Sequence, residues 1–406
     1  MDRRKEMRTD DSAISLTDSL KSLYLGISQY IIGDQEMNEL SPVALLNRML
    51  STKSGISTSS SLAEESQRAR DDAQKKMFHP VGDGQCGTVY ALRGTTMVVK
   101  LPNNPQKSDE LFRDFQMHLT IQNAFNTLPE KLRASYNINV PGVKVWVDPH
   151  SDHFWTEHAS MFPGTGVPVP NYDLVSERIY PLPLPVRSAI VDALCPKEIQ
   201  KQKTEFLARS DNKDCLVRIY LRRHSRDTPM TAGNVRLRNF PLHLDQMQFL
   251  KLDVKMFART MAQALAVLHW KVGVDANDVE FVLGSTPQIS LKPPGDAMRT
   301  ATKDTAARYY ITDFKHRTIS MWVLDFNQCK KFEKNMVGLK QLVDGFWWND
   351  PYYPHPDNKE LWSTFSEHYL KTSFEFMKTL CLRHLLTELL RRARNDQEGG
   401  CSDKSN

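Results

Sequence analysis

A glycine-punctuated stretch, VGDGQCGTVYALRGTTMVVKL, carries residue types that could bind phosphate. Gly82, Gly84 and Gly87 fall at the spacing G-x-G-x-x-G, and Lys100 follows a run of apolar residues. Glycines let a backbone approach phosphate closely with its N–H groups pointing inward, and a lysine adds positive charge. A β-hairpin uses glycine in the same way, so the motif alone leaves both interpretations open.

Three acidic residues further along the chain have the chemistry needed to bind a metal ion or accept a proton. Asp275 and Glu280 lie in VDANDVEF, and Asp325 lies in VLDFNQC. A carboxylate inside an apolar run, as at Asp325, is costly to bury unless something pairs with it. The plainer interpretation of Asp275 and Glu280 is a polar turn that follows a helix.

Local patterns predict the elements that position these residues. Residues 81–101 alternate in polarity and predict two strands joined by a turn at RGTT. A helix is predicted over SDELFRDFQMHLTIQNAF, with Ser108 as candidate N-cap. This helix offers Asp114 or Glu110 as a partner for Lys100. The clearest helix is DVKMFARTMAQALAVLHW, where apolar residues recur at helical spacing.

The order of these patterns predicts an α+β protein with two lobes. Residues 1–76 are expected to be a mostly disordered extension with a short helix, because residues 51–76 are polar and Ser-rich. Strand patterns dominate residues 77–180 and define a small β-rich N-lobe. Helical patterns dominate residues 181–395 and define a larger C-lobe, which a disordered tail at 396–406 follows.

Composition excludes several classes of protein. A net charge of +5 on 406 residues is mild, and acidic residues nearly balance the basic ones, so we do not expect nucleic acid as a partner. No run of eighteen apolar residues occurs, so we expect no membrane association. The six cysteines show no C-x-x-C spacing, which argues against a zinc knuckle. No apolar signal-peptide core follows MDRRKEMRTDD, so we expect a cytoplasmic or nuclear protein with reduced thiols.

Taken in order, these segments resemble the protein-kinase-like fold. The stretch GDGQCGTV fits the kinase glycine-rich loop, and VVK places Lys100 at the position of the phosphate-pairing lysine. LHWKVGVDANDVEFVLG resembles the run from the long helix into the catalytic loop. VLDFNQC places Asp325 at the metal-binding aspartate of Asp-Phe-Gly. The resemblance therefore implies a bilobal fold with a site for ATP and Mg²⁺.

The resemblance also implies a role for each residue of that site. Lys100, held by Asp114, would bind the α- and β-phosphates, and Glu177 would lie in the hinge that binds adenine. Asp275 would act as the catalytic base. The Mg²⁺ ligands would be Asp325 and Glu280, and the phosphate cradle would be formed by Gly82, Gly84 and Gly87.

Departures from the kinase pattern favour binding over catalysis. Gly273 and Val274 replace the histidine and arginine before the catalytic aspartate, and Glu280 replaces an asparagine. Asn327 replaces the glycine of Asp-Phe-Gly. These changes predict a pseudokinase-like module that binds a nucleotide or a protein partner of unknown identity. The alternative is an active phosphotransferase with a non-protein acceptor.

The chain is also similar to a fungal family of uncharacterised proteins. Its members share a C-terminal domain of unknown function and are sometimes labelled zinc finger proteins. The motifs that carry the resemblance are ERIYPLP, ANDVEFVLG, LDFNQC and NDPYYPHP. Membership would imply an accessory role in regulation or in a biosynthetic pathway, including secondary metabolism.

Overall fold

The computed structural model shows a mixed α+β protein. It describes residues 30–52, 54–57, 76–130, 136–164, 168–290 and 311–377, with isolated residues 66, 68, 69, 72, 132, 299 and 302. The described residues form two β-sheets and eleven α-helices. None of these helices combines the length and apolar character needed to span a bilayer.

The first sheet has five antiparallel strands and contains the glycine motif. Its order is β3-β4-β5-β8-β7. The strands are β3 (Phe78–Asp83), β4 (Gly87–Leu92), β5 (Met97–Pro102), β7 (Val143–Val147) and β8 (Asp173–Glu177). The turn predicted at RGTT joins β4 to β5, which confirms that hairpin.

The period-two alternation of β5 decides which of its side chains face the cleft. Val99 and Leu101 are buried in an apolar cluster on one face of the sheet. Val98 and Lys100 point to the other face, where they line a cleft. Side chains on a strand alternate between faces, so apolar neighbours on one face fix the position of Lys100 on the other.

Two helices follow strands of this sheet. They are α3 (Ser108–Asn126) and α4 (Asp152–His158). Lys107 is the N-cap residue of α3, and the Ser108 hydroxyl donates to the Pro105 carbonyl within the preceding 3₁₀ turn. The predicted helix is thus confirmed, while its predicted cap at Ser108 is wrong because the 3₁₀ turn Pro105–Lys107 precedes the helix.

The second sheet has seven strands and connects distant parts of the chain. Its order is β1-β2-β12-β11-β9-β10, with β6 beside β12. Its strands are β1 (Tyr30–Gly33), β2 (Ser54–Ser57), β6 (Ile138–Asn139), β9 (Val217–Tyr220), β10 (Phe240–His243), β11 (Glu280–Ser290) and β12 (Ile311–Leu324). In the long β11–β12 pair, Glu280 is opposite Leu324, so Asp325 follows directly beside it.

The remaining helices pack around a large apolar core. They are α1 (Asp34–Glu39), α2 (Pro42–Met49), α5 (Leu184–Leu194), α6 (Lys197–Lys201), α7 (Lys203–Ala208), α8 (Leu244–Phe249), α9 (Val254–Ala266), α10 (Met336–Trp348) and α11 (Lys359–Phe376). The helix predicted over DVKMFARTMAQALAVLHW is confirmed as α9. Asp253 caps it by accepting from Met256 N at 3.0 Å. A π-helical turn, Val267–Val272, extends it toward Asp275.

Two features of the fold differ from the lobe division expected from sequence. Residues 30–52 and 54–57, expected within a mostly disordered extension, form β1, β2, α1 and α2, and Ile32 and Leu46 join the core. The region after residue 180 contains four strands in addition to its helices. Both differences arise from long-range pairing, such as Ile56 with Arg317. The short helix is predicted in LTDSLKSLYLGISQYIIG, whose last four residues form β1, while the rest of this segment and the tail at 396–406 lie outside the described residues.

Candidate functional site

A cleft of about 230 Å³ is lined by side chains of both sheets. Its walls include Leu174 and Ser176 of β8, Arg218 of β9 and Leu324 of β12. Seven of the nine residues predicted from sequence to form the site line this cleft, namely Gly82, Gly84, Lys100, Asp114, Glu177, Glu280 and Asp325. Gly87 and Asp275 are not among its lining residues. The roles of all nine residues stay predictions.

Lys100 is held by an ion pair at the base of the cleft. Its Nζ lies 2.8 Å from the Asp114 carboxylate, and the two side chains are 15% and 5% exposed. The sequence left Glu110 as a second candidate partner, but that carboxylate pairs with Lys107 instead. Burial lowers the pKa of Lys100, but the nearby carboxylates of Asp114 and Asp325 outweigh burial and raise it overall. Lys100 is therefore a fixed, fully charged cation.

Asp325 presents an open carboxylate opposite this lysine. It follows β12 with a left-handed backbone, φ +64°, and Phe326 next to it is buried. Within the described part of the chain, no hydrogen bond to its carboxylate occurs. Burial raises the pKa of Asp325, while Lys100 lowers it. An acidic side chain with free lone pairs in a cleft has the chemistry of an Mg²⁺ ligand.

Glu280, the second predicted metal ligand, is already paired with an arginine. Its carboxylate binds the guanidinium of Arg218 on the neighbouring strand β9, opposite Val282 of β11. Burial raises the pKa of Glu280 to about 7, and Arg218 acts in the opposite direction. Sequence reasoning missed Arg218, although an arginine between Val217 and Ile219 of a buried strand is a usable signal for a paired charge.

Asp275, the predicted catalytic base, lies in a hydrogen-bonded position away from the cleft lining. Its carboxylate accepts from Lys330 N at 2.9 Å, from Asn277 N at 3.2 Å and from Gln341 Nε2 at 2.8 Å. Its own N–H donates to the Lys330 carbonyl at 2.9 Å. These bonds tie the loop after α9 to the segment after Asp325. A base must reach a substrate proton, and three donors already occupy this carboxylate, so the catalytic role of Asp275 stays a prediction.

The three glycines have different structural roles. Gly84 N–H donates to the Gly87 carbonyl at 2.9 Å and closes the turn between β3 and β4. A Cβ on Gly87 would lie 2.5 Å from the Leu101 carbonyl oxygen, so only glycine fits beside β5. Gly82 has no neighbour closer than 3.8 Å to such a Cβ. Gly87 therefore maintains the hairpin, while Gly82 and Gly84 border the cleft.

The segment after β8 connects the two sheets and presents backbone groups to the cleft. Glu177 fixes its start by accepting from Gly142 N at 3.0 Å. Tyr180 and Ser285 of β11 exchange backbone hydrogen bonds of 2.9 and 2.7 Å. Ile179, which lies between Glu177 and Tyr180, lines the cleft, and its N–H has no protein acceptor among the described residues. This N–H is available to a ligand.

Other sequence features of interest are structural. The Cys86 thiol in the glycine turn is buried, and burial raises its pKa, so it lacks the reactivity of an activated thiol. Tyr352 and Tyr353 of the aromatic segment are buried in the core. The described cysteines, Cys86, Cys195, Cys215 and Cys329, are free thiols.

Comparison with known families supports one part of the expected resemblance. A family model for a domain of unknown function, DUF3669, described as "Zinc finger protein", matches residues 321–380. This segment starts in β12, includes Asp325 and extends past α11. No curated protein matches the chain. In the part of the chain that the structure describes, no group of three or more His, Cys, Asp or Glu side chains is arranged to hold a metal ion, as a zinc finger requires.

Proposed function

We propose that the chain is a kinase-like nucleotide-binding module that takes ATP with Mg²⁺ in this cleft. The observation that carries the proposal is the convergence of Lys100, Asp114, Glu280 and Asp325, which are separated by up to 225 positions in sequence, on one cleft. A lysine on the third strand of a sheet, paired with an acidic residue of the next helix, is the arrangement that kinases use to hold phosphates.

Each part of ATP has a matching group in the cleft. The free N–H of Ile179 would donate to the adenine ring. Lys100 would contact the α- and β-phosphates beneath the glycine turn. Asp325, whose carboxylate accepts no hydrogen bond within the described part, would hold Mg²⁺. Bound Mg²⁺ would neutralise phosphate charge, and it needs only one or two carboxylates because phosphates and waters complete its shell.

The site supports binding better than phosphoryl transfer. The Asp275 carboxylate accepts three hydrogen bonds, and this residue does not line the cleft. The Glu280 carboxylate is occupied by Arg218, so it is a poorer second metal ligand than a free side chain. We therefore infer a pseudokinase-like module whose nucleotide stabilises the relative position of the two sheets for a partner protein, in regulation or in a biosynthetic pathway.

A thermal-shift measurement tests ATP binding directly. We expect ATP with Mg²⁺ at about 100 times its Kd to add roughly 2.7 kcal/mol of stability, which raises the melting temperature by several degrees. ATP with excess EDTA should give a smaller rise, because Asp325 then faces the phosphates without a cation. If neither ATP with Mg²⁺ nor ATP with EDTA raised the melting temperature, the proposal of a nucleotide site would be contradicted.

A second candidate function, phosphotransfer to a small acceptor, is favoured by one observation. Asp278, three residues after Asp275, has an exposed side chain, and no described residue donates a hydrogen bond to its carboxylate. Asp278 does not line the cleft either, but its charge adds to the burial that raises the pKa of Asp325 and Glu280. The Asp278 carboxylate is thus freer than that of Asp275 to receive a proton, because three donors already occupy Asp275.

Turnover assays on two matched variants distinguish these roles. If the chain hydrolyses or transfers the γ-phosphate, Asp278→Asn is expected to reduce the rate by about 100-fold or more, the range of a lost general base. Asp275→Asn should lower stability through its lost hydrogen bonds and change the rate far less. If Asp275→Asn lowered the rate more than Asp278→Asn, Asp275 would be the base. No turnover in the wild type would support the binding module alone.

A further inference from the structure

A second cavity, of about 680 Å³, lies beside the nucleotide cleft and carries an excess of positive charge. It is bounded by the edge strand β3, by α5 and by α7. Its cationic side chains are Arg93, Arg178, Arg187, Lys213 and Arg238. Its carboxylates are fewer, namely Asp83, Asp211 and Asp214. The lining therefore has two more positive than negative side chains.

The carboxylates neutralise only part of this charge. Arg178 pairs with Asp214 at 2.9 Å, and Arg238 lies 3.8 and 3.9 Å from Asp83 and Asp211. For Arg93, Arg187 and Lys213, the described ranges contain no ion-pair partner. Arg93 and Lys213 are exposed at the rim, whereas Arg187 is only 6% exposed.

Arg187 is the residue that points most directly to a ligand. Its Nη1 donates to the Asn212 carbonyl at 2.8 Å, but its buried Nε–H has no partner among the described residues. Burial lowers the pKa of Arg187, and the charge of Asp214 offsets only part of this effect. A buried donor without an acceptor is costly, and a buried guanidinium is suited to an oxyanion because it donates in a planar fork.

The position of this guanidinium is fixed before any ligand arrives. Asn212 donates from Nδ2 to the Phe206 carbonyl at 2.7 Å and accepts from Leu237 N at 2.8 Å. The Asn212 side chain is therefore held on both sides, and the backbone carbonyl of the same residue accepts from Arg187. A donor that is already oriented loses little conformational entropy when it binds.

We propose that this cavity is a second ligand site, which takes a small oxyanion such as a phosphate group. Arg187 is its buried anchor, and Arg93 and Lys213 attract the anion at the rim. The cavity adjoins the nucleotide cleft, since Asp83, Arg178 and Asp214 line both. Its anchor and rim cations, Arg187, Arg93 and Lys213, do not line that cleft. It does not depend on whether the cleft binds ATP.

Calorimetric titration of the full chain with inorganic phosphate, at constant ionic strength set with chloride, tests the proposal. Arg187→Gln is expected to weaken phosphate binding by about tenfold or more, because a charge-assisted hydrogen bond is lost. The double variant Arg93→Ala/Lys213→Ala removes only exposed side chains, so it provides a second test of phosphate binding if Arg187→Gln folds poorly. It should weaken binding by about three- to tenfold through lost attraction.

Two controls separate this site from the alternatives. Arg226→Ala removes an arginine that is 82% exposed and outside the cavity, and it should leave the affinity unchanged. Lys100→Met, a cleft variant, should retain phosphate binding. Equal weakening in Arg226→Ala would show only diffuse attraction and overturn the proposal. The proposal would also be overturned if Lys100→Met lost phosphate binding while Arg187→Gln and the double variant retained it. Absence of phosphate binding by the wild type would overturn it as well.

Discussion

Lys100→Met is expected to abolish the rise in melting temperature that ATP with Mg²⁺ produces. The lysine is a buried cation of the cleft, 2.8 Å from Asp114, and the proposal places the phosphates against its charge. With ATP at about 100 times the wild-type Kd, the loss corresponds to about 2.7 kcal/mol of ligand-dependent stability. Differential scanning fluorimetry, with each variant compared with its own ligand-free state, measures it.

The variant needs controls because removing Lys100 also leaves a buried carboxylate unpaired. The double variant Lys100→Met/Asp114→Asn removes that charge, so we expect its ligand-free stability to recover while ATP still has no effect. Lys107→Met is the matched control, because its amine pairs with Glu110 at 2.8 Å at the surface. A full ATP response in Lys100→Met would contradict the proposed nucleotide site.

Arg218→Met is expected to lower the free energy of unfolding by about 3 kcal/mol at pH 8, as removal of one partner from a buried ion pair does. The side chains of Arg218 and Glu280 are only 26% and 17% exposed. Without Arg218, the Glu280 side chain must keep an uncompensated charge or take up a proton at pH 8, and both cost stability. The double variant Arg218→Met/Glu280→Gln should recover most of the loss. Urea unfolding monitored by circular dichroism gives the values.

The effect of Arg218→Met should depend on pH with a defined sign. Burial raises the pKa of Glu280 in the folded protein to about 7, above its usual 4.5. A raised carboxyl pKa favours the folded state below about pH 4.5, and this contribution is lost as the pH rises through 7. The variant should therefore lose less stability at pH 5, where Glu280 is protonated, than at pH 8.

A surface ion pair provides the comparison for this prediction. Arg209 and Glu205 are 51% and 75% exposed and 3.8 Å apart, so Arg209→Met should change stability by less than about 0.5 kcal/mol at either pH. If Arg218→Met behaved like Arg209→Met, the Arg218–Glu280 pair would be solvated and Glu280 would be free to hold a metal.

Local sequence patterns predicted several elements that the structure confirms. The alternation of polarity that ends in MVVKL correctly predicted β5. The helical spacing of apolar residues in DVKMFARTMAQALAVLHW correctly predicted α9. The polarity of the sequence also indicated that Asp325, set in an apolar run, needed a partner or a ligand. These predictions depend on neighbours within one or two turns or along one strand, which the sequence displays directly.

The sequence did not determine how the second sheet forms. β2 pairs with β12 across more than 250 residues, and β9 places Arg218 beside Glu280 of β11. Strand pairing depends on which faces are left to be buried in the complete fold, and local propensity carries little of that information. For the same reason, the sequence could not show that Asp275 binds the Lys330 backbone while Asp278 stays open.

The amino-acid sequence by itself determined the types of the site residues and the strands and helices that carry most of them. Only the tertiary structure decided that Asp114 and not Glu110 pairs with Lys100, and that Arg218 neutralises Glu280. The physical reason is the range of the interactions. Backbone hydrogen bonding and side-chain periodicity act between near neighbours, whereas charge pairing and burial depend on groups that folding brings together from distant positions.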